Sequence, residues 1–189
     1  MIPFPQKKYQ IIYADPPWSY NDKMKGHQGT ETHYNTQTKD WIYSLPISEI
    51  SEKNCVLFLW VVSPLLPEGI ETIKQWGFKF KTVAFVWNKK TVTGKDVSNL
   101  GRWTMGNVEM CLLGVKGKNK RICNNVKQLV SAVRTKHSKK PNEVRQRIVE
   151  LMGDIPRIEL FARNTTAGWD VWGNEVGDNS TQQRLCKIF

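Results

Sequence analysis

The sequence predicts an α/β domain on a mostly parallel, twisted sheet flanked by helices. Two short continuous apolar runs, Gln10 to Ala14 and Asn54 to Val62, have the pattern of central parallel strands covered on both faces. A helical stripe of Leu65, Ile70, Ile73 and Trp76 follows the second run. Further strand and helix signals then alternate to the end of the chain, which is the order of a parallel sheet with crossover helices.

Taken in order, Ile11-Ile12-Tyr13-Ala14 leads straight into Asp15-Pro16-Pro17-Trp18. Ser19 to Lys53 is polar and loop-like in its first half, with short helices expected around Thr38 to Tyr43 and Ile47 to Glu52. Pro64 to Gly77 reads as a helix with Gly77 as its C-terminal cap. Lys79 to Trp87 alternates as a strand, and Asn88 to Gly106 reads as a second mobile loop. Val108 to Val115 is an apolar strand running into basic residues. Asn125 to Val133 is a strand or a short helix; periodicity does not decide which. Pro141 to Met152 is a clearer helix, with proline in its first turn, Glu143 near the positive dipole end, and Val144, Ile148 and Leu151 on one face. Arg157 to Ala162 and Asp170 to Gly173 read as strands. Residues 1–176 are expected to form one domain and 177–189 a polar, loosely ordered tail, with no internal repeat or linker.

At 189 residues the chain is long enough for one substantial core and little else. Its 28 Lys and Arg against 17 Asp and Glu, a formal charge of +11, point to a polyanionic partner. General solubility is the plainer explanation of positive charge. Clustering favours nucleic acid: Lys116-Gly117-Lys118-Asn119-Lys120-Arg121 and Arg134-Thr135-Lys136-His137-Ser138-Lys139-Lys140. A membrane surface fits less well, since neither cluster sits on an evident amphipathic helix. Cys55, Cys111, Cys123 and Cys186 lack zinc-ligand spacing and read as reduced structural thiols, and no metal is expected. The N-terminus lacks a signal-peptide core, and no run approaches the about 18 apolar residues of a membrane span. An intracellular location is therefore expected.

The segment richest in chemistry is Asp15-Pro16-Pro17-Trp18. Two prolines fix φ and remove donors, so the carbonyls of Asp15 and Pro16 are expected to point outward without competing N–H groups. Asp15 adds a carboxylate, and Trp18 adds a π-face able to stack on a nucleobase. Such a notch suits chemistry on a flat amine, although turn chemistry alone would explain it as a strand end.

Further blocks stand in order along the chain: His33-Tyr34, Leu57-Phe58-Leu59-Trp60-Val61, Gly101-Arg102-Trp103, Asn107 to Gly117, Lys140-Pro141, Arg157 to Arg163, then Trp169 and Gly173-Asn174-Glu175. With the Asp-Pro-Pro-Trp segment, they make the chain resemble the MT-A70 group of S-adenosylmethionine-dependent adenine-N6 methyltransferases over roughly Tyr9 to Val176. The resemblance implies a Rossmann-like methyltransferase fold with permuted motif order, the catalytic strand early and the cofactor strand late. It implies catalysis by Asp15, Pro16, Pro17 and Trp18, with S-adenosyl-L-methionine bound by Asp15, Lys140, Phe161, Arg163, Asn164, Asn174 and Glu175. Tyr34 matches an aromatic lid position; on its own it reads equally well as a loop tyrosine covering apolar surface. Arg163 and Lys140 read otherwise as solvated charges. Substrate contacts are expected from Trp18, Tyr34, Lys118, Lys120, Arg121, Arg134 and Lys136.

Adenine N6 has a lone pair delocalised into the ring, so fixed acceptors must hold its hydrogens while a sulfonium methyl is presented in line. A base within a duplex must first leave the stack. The sequence departs from the family at Asn164-Thr165-Thr166, where His and Asn are familiar, and at Glu175, where Gln is common. DNA is the expected polymer, from the compact chain without RNA-binding extensions. RNA methylation, a catalytically inactive nucleic-acid-binding partner subunit, and a small-molecule amine methyltransferase are the alternatives. A homodimer, or a heterodimer with a related subunit, is compatible with the sequence.

Overall fold

The alternation of apolar runs and turns produces seven strands and four α-helices among the residues that the computed structural model describes, 3–19, 37–101, 103–135, 139–174 and 176. The order is β1 (Tyr9–Ala14), α1 (Lys39–Tyr43), α2 (Ile47–Ile50), β2 (Ser51–Val61), a 3-10 turn (Ser63–Leu65), α3 (Leu66–Gln75), β3 (Lys79–Lys90), β4 (Val108–Lys116), β5 (Leu129–Val133), α4 (Asn142–Met152), β6 (Arg157–Leu160) and β7 (Asp170–Trp172).

All seven strands form one sheet in the order β5-β3-β4-β2-β1-β6-β7. β1 pairs parallel with both β2 and β6, β6 with β7, and β3 with β5. β4 alone runs against its neighbours β2 and β3. This is a mostly parallel α/β sheet consistent with a Rossmann-like methyltransferase fold. One edge therefore collects the carboxyl ends of the other six strands together with the start of β4, where open α/β sheets bind ligands.

Residue parity divides the interior in two. Ile12, Ala14, Leu57, Leu59, Val61 and Leu112 face the side covered by α1 to α3, where Ile73 and Trp76 of the α3 segment pack on them. Ile11, Tyr13, Phe58, Trp60, Phe85, Trp87 and Cys111 face the other side, where α4 contributes Val144, Ile148 and Met152. Continuous apolar strands are what burial on both faces requires. α3 approaches closely because Gly114 lacks a side chain: a Cβ there would lie 2.9 Å from Cγ2 of Ile73. Thr38 caps α1 by accepting from the Trp41 amide at 3.3 Å, and Gly77 at φ +81° follows α3.

Three expectations are corrected. The ambiguous segment before Val133 is a strand, but only from Leu129, because its backbone pairs with β3 from Val86 to Lys90. β3 runs on to Lys90, and the rest of the expected loop is hydrogen-bonded: Thr91 N–H to Lys95 O at 2.8 Å, Val97 N–H to Lys89 O at 2.9 Å, and Asn99 and Gly106 exchanging bonds of 3.0 and 2.9 Å. Turn-forming residues and scattered apolar ones, Val92, Val97 and Leu100, give no strand period that would reveal this backbone pairing. The second short helix ends at Ile50, because Ser51 enters β2 and pairs with Tyr9. Among the described residues no helix is long and apolar enough to cross a membrane. The 177–189 tail lies outside the described residues.

Candidate active site

Asp15 follows β1 and keeps the parity of Ile11 and Tyr13, which directs it to the α4 side of the sheet. There the segment between β5 and α4 brings Lys140, whose Nζ donates to Oδ2 of Asp15 at 2.7 Å. The same ammonium lies 3.2 Å from Oε2 of Glu109, and Lys89 reaches Oε1 of Glu109 at 2.5 Å. Four charged groups from β1, the start of β4, the end of β3 and the α4 approach thus alternate in sign across the carboxyl edge. Lys140 is nearly buried, with 8% of its side chain exposed, whereas Asp15 retains 26%.

Aromatic rings form the floor of this network. Lys140 lies 5.5 Å from the centroid of Trp60, and Lys89 lies 5.3 Å from that of Trp87. The two indoles meet edge to face at 6.5 Å. Such stacking returns part of the hydration that burial takes from the ammonium groups.

Burial pushes the Asp15 carboxyl above its usual range, and Glu109 adds to the rise, while Lys140 and Arg163 oppose it. Burial alone would push the Glu109 carboxyl up as well, but Lys140 and Lys89 hold it below the usual range. Burial works against the Lys140 ammonium, yet Asp15 and Glu109 outweigh it and raise the pKa. Opposed partners explain why the two carboxyls move apart.

The two prolines stiffen the turn, but the Pro16 carbonyl does not lack a competing donor as expected. The Trp18 N–H closes onto it at 2.8 Å, so one lone pair is committed. The Pro17 carbonyl accepts from Gln37 N–H at 2.9 Å. Trp18 is half-buried against the α3-side core, and its Nε1 donates to the Trp60 carbonyl at 2.9 Å. Asp15 and Trp18 therefore lean to opposite sides of the sheet edge. Below them, Trp60 Nε1 donates to the Tyr13 hydroxyl at 2.7 Å. Arg145 of α4 stacks 5.3 Å from the Tyr13 ring and forks onto Glu159 at 2.7 and 2.5 Å.

The late motif joins the same edge. Phe161, the residue after β6, has φ +61°, the left-handed region that a bulky side chain enters only under constraint. Its ring meets Trp172 edge to face at 5.5 Å. Arg163 is near enough to influence Asp15, and Asn164 and Asn174 are exposed on the following turns. Tyr34, Lys136 and Glu175 lie outside the described residues.

The two basic clusters separate. Arg134 follows β5 and donates its N–H to Lys90 O at 2.9 Å, on the same edge as Asp15. Lys118, Lys120 and Arg121 follow β4, whose reversed direction takes them to the opposite edge, so the structure does not bring them to the Asp15 site. Sequence reasoning assigned no role to Glu109 or Lys89. A charged residue near the start of an apolar strand was the available signal for Glu109, and the structure places it opposite Trp87.

Comparisons with known proteins agree with this arrangement. The MT-A70 family model matches residues 9–175. The chain is 38% identical to the type II methyltransferase M.MunI of a Mycoplasma species, over 94% of this chain and 82% of that protein. It is 30% identical to the human N(6)-adenosine-methyltransferase catalytic subunit METTL3, over 89% of this chain and 28% of the relative. It is 29% identical to the Arabidopsis thaliana N(6)-adenosine-methyltransferase MT-A70-like protein, over 89% of this chain and 24% of that protein. With early and late motifs matched across nearly its whole length and converging on one sheet edge, the chain is a methyltransferase of the MT-A70 family.

Proposed function

We propose that this methyltransferase uses S-adenosylmethionine to methylate N6 of adenine in DNA, with the target base out of the stack and seated against Asp15. The observation that carries the reading is the Asp15 carboxylate, held by Lys140 at 2.7 Å on the carboxyl edge of the sheet. An acceptor fixed in place costs little reorganisation when charge develops on the amine.

The donor set suits the cofactor. A cationic pair, Lys140 and Arg163, matches an amino-acid carboxylate. Asp15 matches its ammonium, and the amides of Asn164 and Asn174, with Glu175, match ribose hydroxyls. Phe161 would bound the pocket beside Trp172. When bound, S-adenosylmethionine supplies an electrophilic methyl on sulfonium sulfur. Asp15 and the free lone pair of Pro16 O orient the N6 hydrogens, so that the nitrogen lone pair points away from the ring plane. The proton displaced from N6 on methylation would pass to the Asp15 carboxylate or to water. Trp18, pinned to Trp60, keeps the turn from opening and offers the exposed part of its ring to the base. Tyr34 is assigned to cover the base, and Arg134 and Lys136 to meet phosphates beside it.

DNA is favoured by the higher identity and fuller overlap with a type II methyltransferase. The adenosine methyltransferase relatives support RNA as the second reading. Incubation with tritiated S-adenosylmethionine and matched DNA and RNA oligonucleotides separates them. Label on N6 of adenine in DNA is expected; label on RNA alone contradicts the polymer assignment.

A further inference from the structure

We propose that the edge of the sheet opposite Asp15 is a second phosphate-binding surface, which holds duplex DNA flanking the methylated site. The inference rests on the reading above that DNA is the substrate. Its basis is the contrast between the two edges. At the Asp15 edge Lys140 is spent on Asp15 and Glu109, Lys89 on Glu109, and Lys90 on Asp96 at 2.8 Å, while Arg134 and Lys139 are exposed. At the opposite edge Lys53, Lys79, Lys81, Lys118, Lys120 and Arg121 are exposed, and none of them pairs with a described carboxylate. They come from the starts of β2 and β3 and from the turn after β4, so the reversed strand is what gathers them.

This turn is built rather than loose. Gly117 has φ +71°, and a Cβ there would meet Lys53 O at 2.2 Å. The Lys118 N–H donates to Asn54 Oδ1 at 2.8 Å, and Asn119 Nδ2 donates to Lys116 O at 2.8 Å and Cys55 O at 3.3 Å. Lys116 Nζ is tied to Ser51 Oγ at 2.6 Å, which leaves the next three cations pointing outward from a fixed backbone. Unpaired cations on a rigid mount suit a nucleic-acid backbone, because neutralising its phosphates releases the cations condensed on it.

The geometry sets a length. From Glu109 to Lys116 along β4 is about 23 Å at the usual strand rise. A duplex rising about 3.4 Å per base pair covers that span in about 7 base pairs. Charge at the far edge therefore touches DNA only where the duplex extends well beyond the target adenine.

The test uses a methylated site first mapped on plasmid DNA with the intact chain, then placed in duplexes with 4 or 15 flanking base pairs on each side. Wild-type kcat/KM is expected to be about tenfold higher on the longer duplex at 50 mM salt, with most of that gain gone at 200 mM. In the variant carrying Lys118→Ala, Lys120→Ala and Arg121→Ala, kcat/KM is expected to be the same for both lengths. A wild-type enzyme indifferent to flank length, or a folded variant that keeps the gain, overturns the inference while leaving the methylation reading intact. If no plasmid adenine is methylated, the reading beneath it fails and the inference with it.

Discussion

Lys140 Nζ lies 2.7 Å from Oδ2 of Asp15, although 125 residues separate the two in sequence. This contact joins the strand-end motif to the segment entering α4. It fixes the carboxylate that the proposed chemistry needs and partly offsets the cost of burying it.

Replacing Lys140 by Met leaves Asp15 and Glu109 facing each other without their shared cation. In the wild type, Glu109 titrates below its unfolded value, so the stability it contributes is present above that value and is lost as pH falls through the folded pKa. Without Lys140, Asp15, already above its usual value, rises further, and Glu109 rises with only Lys89 left to hold it down, so the stability lost with Lys140 shrinks on acidification. Urea unfolding at pH 5 and pH 8 checks this: Lys140→Met is expected to be less stable than wild type by about 3 kcal/mol at pH 8, and by less at pH 5. Equal losses at both pH values would contradict the assignment.

The activity profile carries a related expectation. Asp15 must be ionised to accept the amine hydrogens, and its pKa stands above the ordinary carboxylate value. The acid limb of kcat/KM is therefore expected at a pH above that of an unperturbed aspartate, and Lys140→Met should move it higher still. A limb that does not respond to Lys140 would assign it to another group.

Beneath the site, Arg145 forks onto Glu159, with only 14% and 10% of their side chains exposed. Arg145→Met strands a buried carboxylate and is expected to cost about 3 to 5 kcal/mol in chemical denaturation. Adding Glu159→Met should recover most of that loss. If the double variant is as unstable as the sum of the single ones, the pair does not act as a unit.

Gly114→Ala tests the α3 packing. The new methyl would sit 2.9 Å from Cγ2 of Ile73 and 3.2 Å from Cβ of Phe78. Overpacking of this kind is expected to lower unfolding free energy by about 1 to 3 kcal/mol, with little change in the denaturant slope.

Much of this architecture was legible in the sequence. Strands buried on both faces read as unbroken apolar runs, which is why β1, β2 and β4 stand out, and Pro141 and Glu143 mark the start of α4. Strand direction was not legible. Val108 to Lys116 looks the same whichever way it runs, yet its reversal carries Lys118, Lys120 and Arg121 away from Asp15 and brings Glu109 toward it. The Asp-Pro-Pro-Trp segment announced its chemistry, but the Trp18 bond to Trp60 depends on β2 ending beside it, a long-range contact without a local signature. The pairing after Lys90 was illegible for a different reason: Val97 is its one buried apolar residue, and the residues around it are exposed, so no apolar period records it.

The measurement that tests the central claim most directly is transfer of tritiated methyl groups to adenine in DNA by the wild-type chain and by Asp15→Asn, with both shown to be folded by circular dichroism and thermal unfolding. Labelled N6-methyladenine from wild type and a rate at least about 100-fold lower from the folded variant are expected, the loss typical of removing one preorganised polar group at a reaction centre. Undiminished transfer by Asp15→Asn would contradict the account.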